Sequence, residues 1–212
     1  SKTTVTTENL EALGAARLAA LLVELGDGDA DLKRRLRLEL AGAAGPAEAA
    51  REIRKRLTTI ARGRAFIDWE KRKAFAADLA TQRRAILDQV AKGDPGEALD
   101  LLWQFTALAN PVFERCDDSS GTVIGEFRTA CGDLADIAAF ARPDPRALAD
   151  RTFEAICAND YGQYDDLIAR LAPVLGREGL EHLKARVEEL ARTPVPAPSD
   201  KDRKMIGWAS GG

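Results

Sequence analysis

Long apolar runs are missing from this 212-residue chain. A membrane-spanning helix needs about 18 or more consecutive apolar residues, and no such stretch occurs. The opening SKTTVTTENL has no apolar core of a secretory signal. Strand-forming residues are scarce too: aromatics are 6%, Val and Ile are sparse, and Ala and Leu dominate, which favours helix over strand. The three cysteines, Cys116, Cys131 and Cys157, form no CxxC pair. An odd, scattered set reads as reduced thiols of a cytoplasmic protein and excludes a disulfide framework.

Catalytic and metal signatures are also lacking. His182 is the only histidine and sits among Glu178, Lys184 and Arg186, as expected of a solvated helix. Neither Gly-x-Ser-x-Gly nor a Walker-type glycine loop occurs. Cys116, Cys131, Cys157 and His182 are 15, 26 and 25 residues apart, whereas structural zinc takes closely spaced ligand pairs. An EF-hand at Gly121 would need a carboxylate and a glutamate where Cys116 and Phe127 stand. No metal and no cofactor is therefore expected.

What is present is a succession of helices. The stretch Asp94–Ala130 sets the pattern: a capped helix start, a long apolar helix, the polar elbow Asp117-Asp118-Ser119-Ser120-Gly121, and a second helix. Reading outward gives about nine helices. The first runs from Thr7 with Leu10, Leu13, Leu18, Leu21, Leu22 and Leu25 and is stopped by Gly26. The second carries Leu32, Leu36 and Leu40; the third follows Pro46 with Ala50, Ile53, Leu57 and Ile60. The fourth buries Trp69, Phe75, Leu79, Ile86 and Val90; the fifth holds Leu99, Leu102, Trp103, Phe105 and Leu108, interrupted by Pro111. The sixth bears Val123, Phe127, Leu134 and Ile137, and the seventh Leu148, Phe153 and Ile156. The last two use Leu167, Ile168, Leu171 and Val174, then Leu180, Leu183, Val187 and Leu190. Residues 193–212 form a Pro-rich, extended tail whose Met205, Ile206 and Trp208 are expected to fold back.

Spacing suggests repetition. Pro46, Pro95 and Pro145 each open a helix and lie 49 and 50 residues apart. Two helices per unit of about 50 residues predict a single all-α domain over 1–192, with antiparallel pairs in a short HEAT- or TPR-like superhelix. If helices alternate, the elbows near Asp27, Gly63, Asp118 and Gln163 share one end. That end collects Asp117, Asp118, Ser119, Ser120, Tyr161, Gln163, Tyr164, Asp165 and Asp166, an acidic, hydroxyl-rich rim. Asp, Ser and Gly are also ordinary turn and cap residues.

The net charge of -3 hides an asymmetry. Residues 33–92 hold 16 Lys and Arg against 7 Asp and Glu, whereas 93–212 hold 13 against 21. Arg34, Arg54, Lys55, Arg62, Arg64, Lys71 and Arg72 would supply a phosphate-binding face if they share one side.

LDLLWQFTALANPVFERCDDSSGTVIGEF, followed by DPRALADRTFEAICANDYGQYDDLI and closing on IGWASGG, resembles an uncharacterised family of helical bacterial proteins, mainly alphaproteobacterial. It is also similar to helical regions beside SWIM-type zinc fingers, although the CxC and CxH elements of the finger itself are absent. The resemblance implies an all-helical fold and carries no catalytic residues. The first expectation is a non-enzymatic scaffold that binds a protein or peptide partner at the rim. The second is a nucleic-acid-associated module using the basic helices; the third is an enzyme with an unrecognised carboxylate site.

Overall fold

Local chemistry places the helix starts. Asp29, Asp68, Asp94 and Asp144 each accept hydrogen bonds from backbone N–H groups of the following turn. Each such cap is worth about 1 kcal/mol. Pro46, Pro95 and Pro145 occupy first-turn positions, where the missing N–H has no helical partner to lose. A computed structural model describes residues 3–192. Its elements are α1 (Thr7–Glu11), α2 (Ala15–Gly28), α3 (Ala30–Ala44), α4 (Pro46–Ala61) and α5 (Trp69–Ala85). A π-helical turn, Ile86–Val90, extends α5. There follow α6 (Pro95–Thr106), α7 (Ala109–Phe113), α8 (Thr122–Ala141), α9 (Pro145–Cys157) and α10 (Leu167–Arg192). The described residues are all-helical apart from one isolated bridge between Ile67 and Cys116. None of these helices is long and apolar enough to cross a membrane. The tail predicted over 193–212 lies outside the described residues.

One apolar core runs from Leu38 to Leu183. Its largest fully buried side chains include Ile53 of α4, Leu79 of α5, Phe105 of α6, Phe127 and Leu134 of α8, and Leu171 of α10. Helix α6 packs on α4 and α8; α8 also meets α5 and α10, while α9 lies on α10. The buried faces of α4, α6 and α8 are those the apolar spacing predicts.

The N-terminal region differs from expectation. The first helix is split at Gly14 (φ 80), and α2 continues through Gly26 to Gly28. Gly26 is buried in that helix, its α-carbon facing the Leu36 side chain of α3, so it serves packing there and does not stop the helix. On α3 the buried residue is Leu38, while Leu40 is 71% exposed, because α3 meets α4 on a face rotated from the predicted stripe. Trp69, at the exposed first turn of α5, is 68% exposed. Ile168, Leu180, Val187 and Leu190 of α10 are exposed as well. Gly176 (φ 56, ψ −166) breaks the regular path of α10 just after Pro173.

Candidate functional site

Two elbows are tied to each other, and a third is held from α7. Arg115 donates from its guanidinium to the carbonyls of Ala65 (2.9 Å) and Ile60 (2.9 Å). Its backbone carbonyl accepts from Ile67 N (2.8 Å), and Ile67 O accepts from Asp117 N (3.1 Å). These bonds join the segment after α4 to the segment before α8. Gly63 makes room for that side chain: a Cβ there would stand 2.7 Å from Arg115 Nη2, so the guanidinium would have to shift from its two carbonyls.

The third elbow is held from α7. Asn110 donates to Ala158 O (3.1 Å) and Asp160 Oδ2 (2.6 Å). Its amide oxygen accepts from Gln163 Nε2 at 3.0 Å. The Tyr161 ring stacks on Phe113 with centroids 4.9 Å apart.

The predicted rim residues take different roles. Asp118 is half-buried and caps α8, accepting from Val123 N and from Ile124 N at 2.8 Å. Asp117 Oδ1 accepts from Ser119 N at 3.2 Å, and Ser120 shares a 2.7 Å bond with Thr122. Tyr161 is partly exposed, and Asp165 and Asp166 are exposed, bonded to Asn159 and Arg170 respectively. Gln163 and Tyr164 are not on the surface of the rim: they are 3% and 4% exposed. Gln163 is buried because its amide is satisfied, donating to Ala158 O and accepting from Tyr161 N. Burial pushes the Tyr164 phenol up to about 12, against a hydrogen bond with Thr106 that lowers it. Burial likewise pushes the neighbouring Cys131 thiol to about 12; its S–H donates to Gln163 O.

The seven predicted cations are dispersed in their engagements. Arg54 pairs with Glu97 of α6, Lys71 with Asp68, and Arg34 with Asp31. Arg72 reaches the rim itself, donating to Asp117 O at 3.1 Å. Arg62 and Arg64 are exposed on the first elbow. Arg34 and Lys55 line one cleft between α3, α4 and α5.

The rim reading overlooked a cleft of about 310 Å³ beside the third elbow. It is lined by Trp103, Gln104 and Ala107 of α6 and its end, Asn110 of α7, Arg151 and Glu154 of α9, and Gln163 and Tyr164 of the elbow. Trp103 is 6% exposed, and its Nε1 donor has no hydrogen-bond partner. The Arg151 guanidinium lies 5.2 Å from the centre of its ring and pairs with Asp100. Such a geometry combines cation–π attraction with one unsatisfied donor. His182 is half-buried and bonds Asp150 at 3.0 Å, a carboxylate that Arg186 also engages. Among the described residues, no three His, Cys, Asp or Glu side chains gather as a metal site.

The family model for a family of unknown function (DUF6880) matches residues 1–211, so the chain belongs to that family. No curated protein and no solved structure matches it.

Proposed function

We propose that this protein is a non-enzymatic cytoplasmic scaffold of stacked helical pairs that binds an extended peptide segment of a protein partner. The observation that carries the reading is a cleft lined by Trp103 of α6, Asn110 of α7 and Arg151 of α9, in which the buried indole N–H of Trp103 has no hydrogen-bond partner. A buried donor left unsatisfied costs about 1–3 kcal/mol, and a peptide carbonyl reaching it as Arg151 swings aside removes that cost. Gln104 and Glu154 offer further polar contacts to a peptide backbone or its N–H groups.

The stacked-unit reading draws support from long-range polar contacts. Arg83 to Asp133, Gln89 to Glu39, Arg115 to Ala65 and Asn110 to Asp160 each span 50 residues, and Arg151 to Asp100 spans 51. These recurrences match the spacing of Pro46, Pro95 and Pro145, as expected if like positions of adjacent units meet. Contacts within the last part of the chain shorten to 32 residues, as between Arg146 and Glu178, so the final unit is truncated.

The test is selection of a random peptide library on the immobilised protein, followed by binding to Trp103→Phe, which keeps the ring and loses the donor. Peptides that lose about tenfold or more in affinity on that change support the reading. Peptides bound equally by both proteins, or no selected peptide, contradict it.

A further inference from the structure

A second cleft, remote in sequence from Trp103, concentrates positive charge. Helix α3 lies over α4, and between them and α5 is a space of about 190 Å³. Arg34, Arg37, Lys55 and Arg56 line it, with Thr59, Leu38 and Gln82. Glu52 is the one carboxylate in its wall. The four cations come from two helices, so the sequence runs Lys33-Arg34-Arg35 and Arg54-Lys55-Arg56 contribute only those members that face inward.

The cations are not equally committed. Arg56 is a strut: its Nε donates to Asp78 at 2.9 Å, and both side chains are 20% exposed. Lys55 stands 3.7 Å from Glu52, a loose pair. Arg37 has no ion pair among the described residues. Arg34 is engaged by Asp31, so Arg37 and the loosely held Lys55 are the cations most available to an oxyanion, and guanidinium groups match tetrahedral oxygens bidentately.

Beyond Arg34 and Gln82 the cleft continues into a depression of about 320 Å³. Leu32, Ala74, Ala77 and Thr81 line it together with Arg34, Arg35, Asp31 and Asp78; Asp31 engages Arg34, and Asp78 engages Arg56 of the first cleft. The cationic cleft thus opens onto a depression of mixed charge with an apolar patch at Leu32, Ala74 and Ala77.

We propose that this pair of pockets binds a phosphorylated small molecule, its phosphoryl group among Arg34, Arg37, Lys55 and Arg56 and its uncharged body against Leu32, Ala74 and Ala77. A single strand of nucleic acid carries the same phosphoryl chemistry, but its repeating charges would need a run of cations in the second pocket as well, and there Asp31 and Asp78 stand beside Arg34 and Arg35 among apolar side chains.

The experiment is calorimetric titration of the full chain with inorganic phosphate, with adenosine monophosphate as the probe bearing a body, and with a single-stranded oligonucleotide. Arg37→Gln and Lys55→Gln test the site, and Arg62→Gln serves as an exposed control; all three side chains are solvated, so folding is expected to be retained. The nucleotide should bind more tightly than phosphate, phosphate should compete with it, and each of the two cleft substitutions should weaken both by about tenfold, with the control unchanged. Absence of binding by both phosphate and the nucleotide overturns the proposal. So does affinity unchanged in the Arg37 and Lys55 variants. Binding of the oligonucleotide alone, falling steeply with salt, overturns it in favour of nucleic acid.

Discussion

Gly63 shows how much depends on single side chains. Its missing Cβ lets the Arg115 guanidinium lie against the backbone and reach two carbonyls of the neighbouring elbow. Gly63→Ala should push that guanidinium away and destabilise the fold by about 1–3 kcal/mol, read as a lower denaturant midpoint with an unchanged slope. Arg115 was legible in the sequence only as one more cation, since nothing local announces a partner 50 residues away. Gln163 was misplaced for a related reason: its polarity reads as solvent-facing, and its burial is paid for by bonds to Asn110 and Ala158 that only the folded chain supplies.

Cys131 and Tyr164 make the residue-scale account testable by pH. Their folded-state values, both about 12, lie above the ordinary 9.0 and 10.0. A group whose value is raised by burial favours folding while it is neutral in both states. That contribution is complete below pH 9 and is lost as the unfolded chain ionises first, between about pH 9 and 12. The unfolding free energy should therefore fall over that window, and replacing Cys131 and Tyr164 by Ala and Phe should flatten the fall. At pH 8 a thiol reagent should modify exposed Cys157 quickly and Cys131 only on unfolding; equal rates would contradict the placement of Cys131.

At the scale of elements, the starts and inner faces were the most legible. Asp–Pro at Asp94 and Asp144 combines a cap with a first-turn proline, and Ile53, Leu57 and Ile60 recur at helical spacing, so both signals are local. The α2–α3 region was less legible because its leucines exceed what packing uses: α2 packs mainly on α3 and α1, leaving Leu22, Val23 and Leu25 exposed. Between α5 and α8 the contact is partly ionic. Arg83 bonds Asp133 at 2.7 Å and Glu126 at 3.3 Å, with all three side chains at least three-quarters buried. Arg83→Met leaves two carboxylates facing each other and should cost about 2–3 kcal/mol, less than a fully buried pair because water still reaches the site. Adding Asp133→Asn and Glu126→Gln should recover much of that loss in the same denaturation measurement.

Across the described residues, several polar contacts join residues about 50 apart, and they accompany a core that is continuous from α3 to α10. The all-helical class was legible in composition, and Pro46, Pro95 and Pro145 marked three helix starts. The cleft at Trp103 was not legible, because a tryptophan among Leu99, Leu102 and Phe105 reads as core, and Arg151 reaches it from α9. The measurement that bears most directly on the scaffold account is a nitrogen-15 NMR titration of the full chain with a selected peptide. The account predicts that the Trp103 indole N–H resonance moves downfield as it gains an acceptor, together with the Arg151 and Gln104 side-chain signals. A bound peptide that leaves the Trp103 resonance unmoved while shifting signals elsewhere would contradict it.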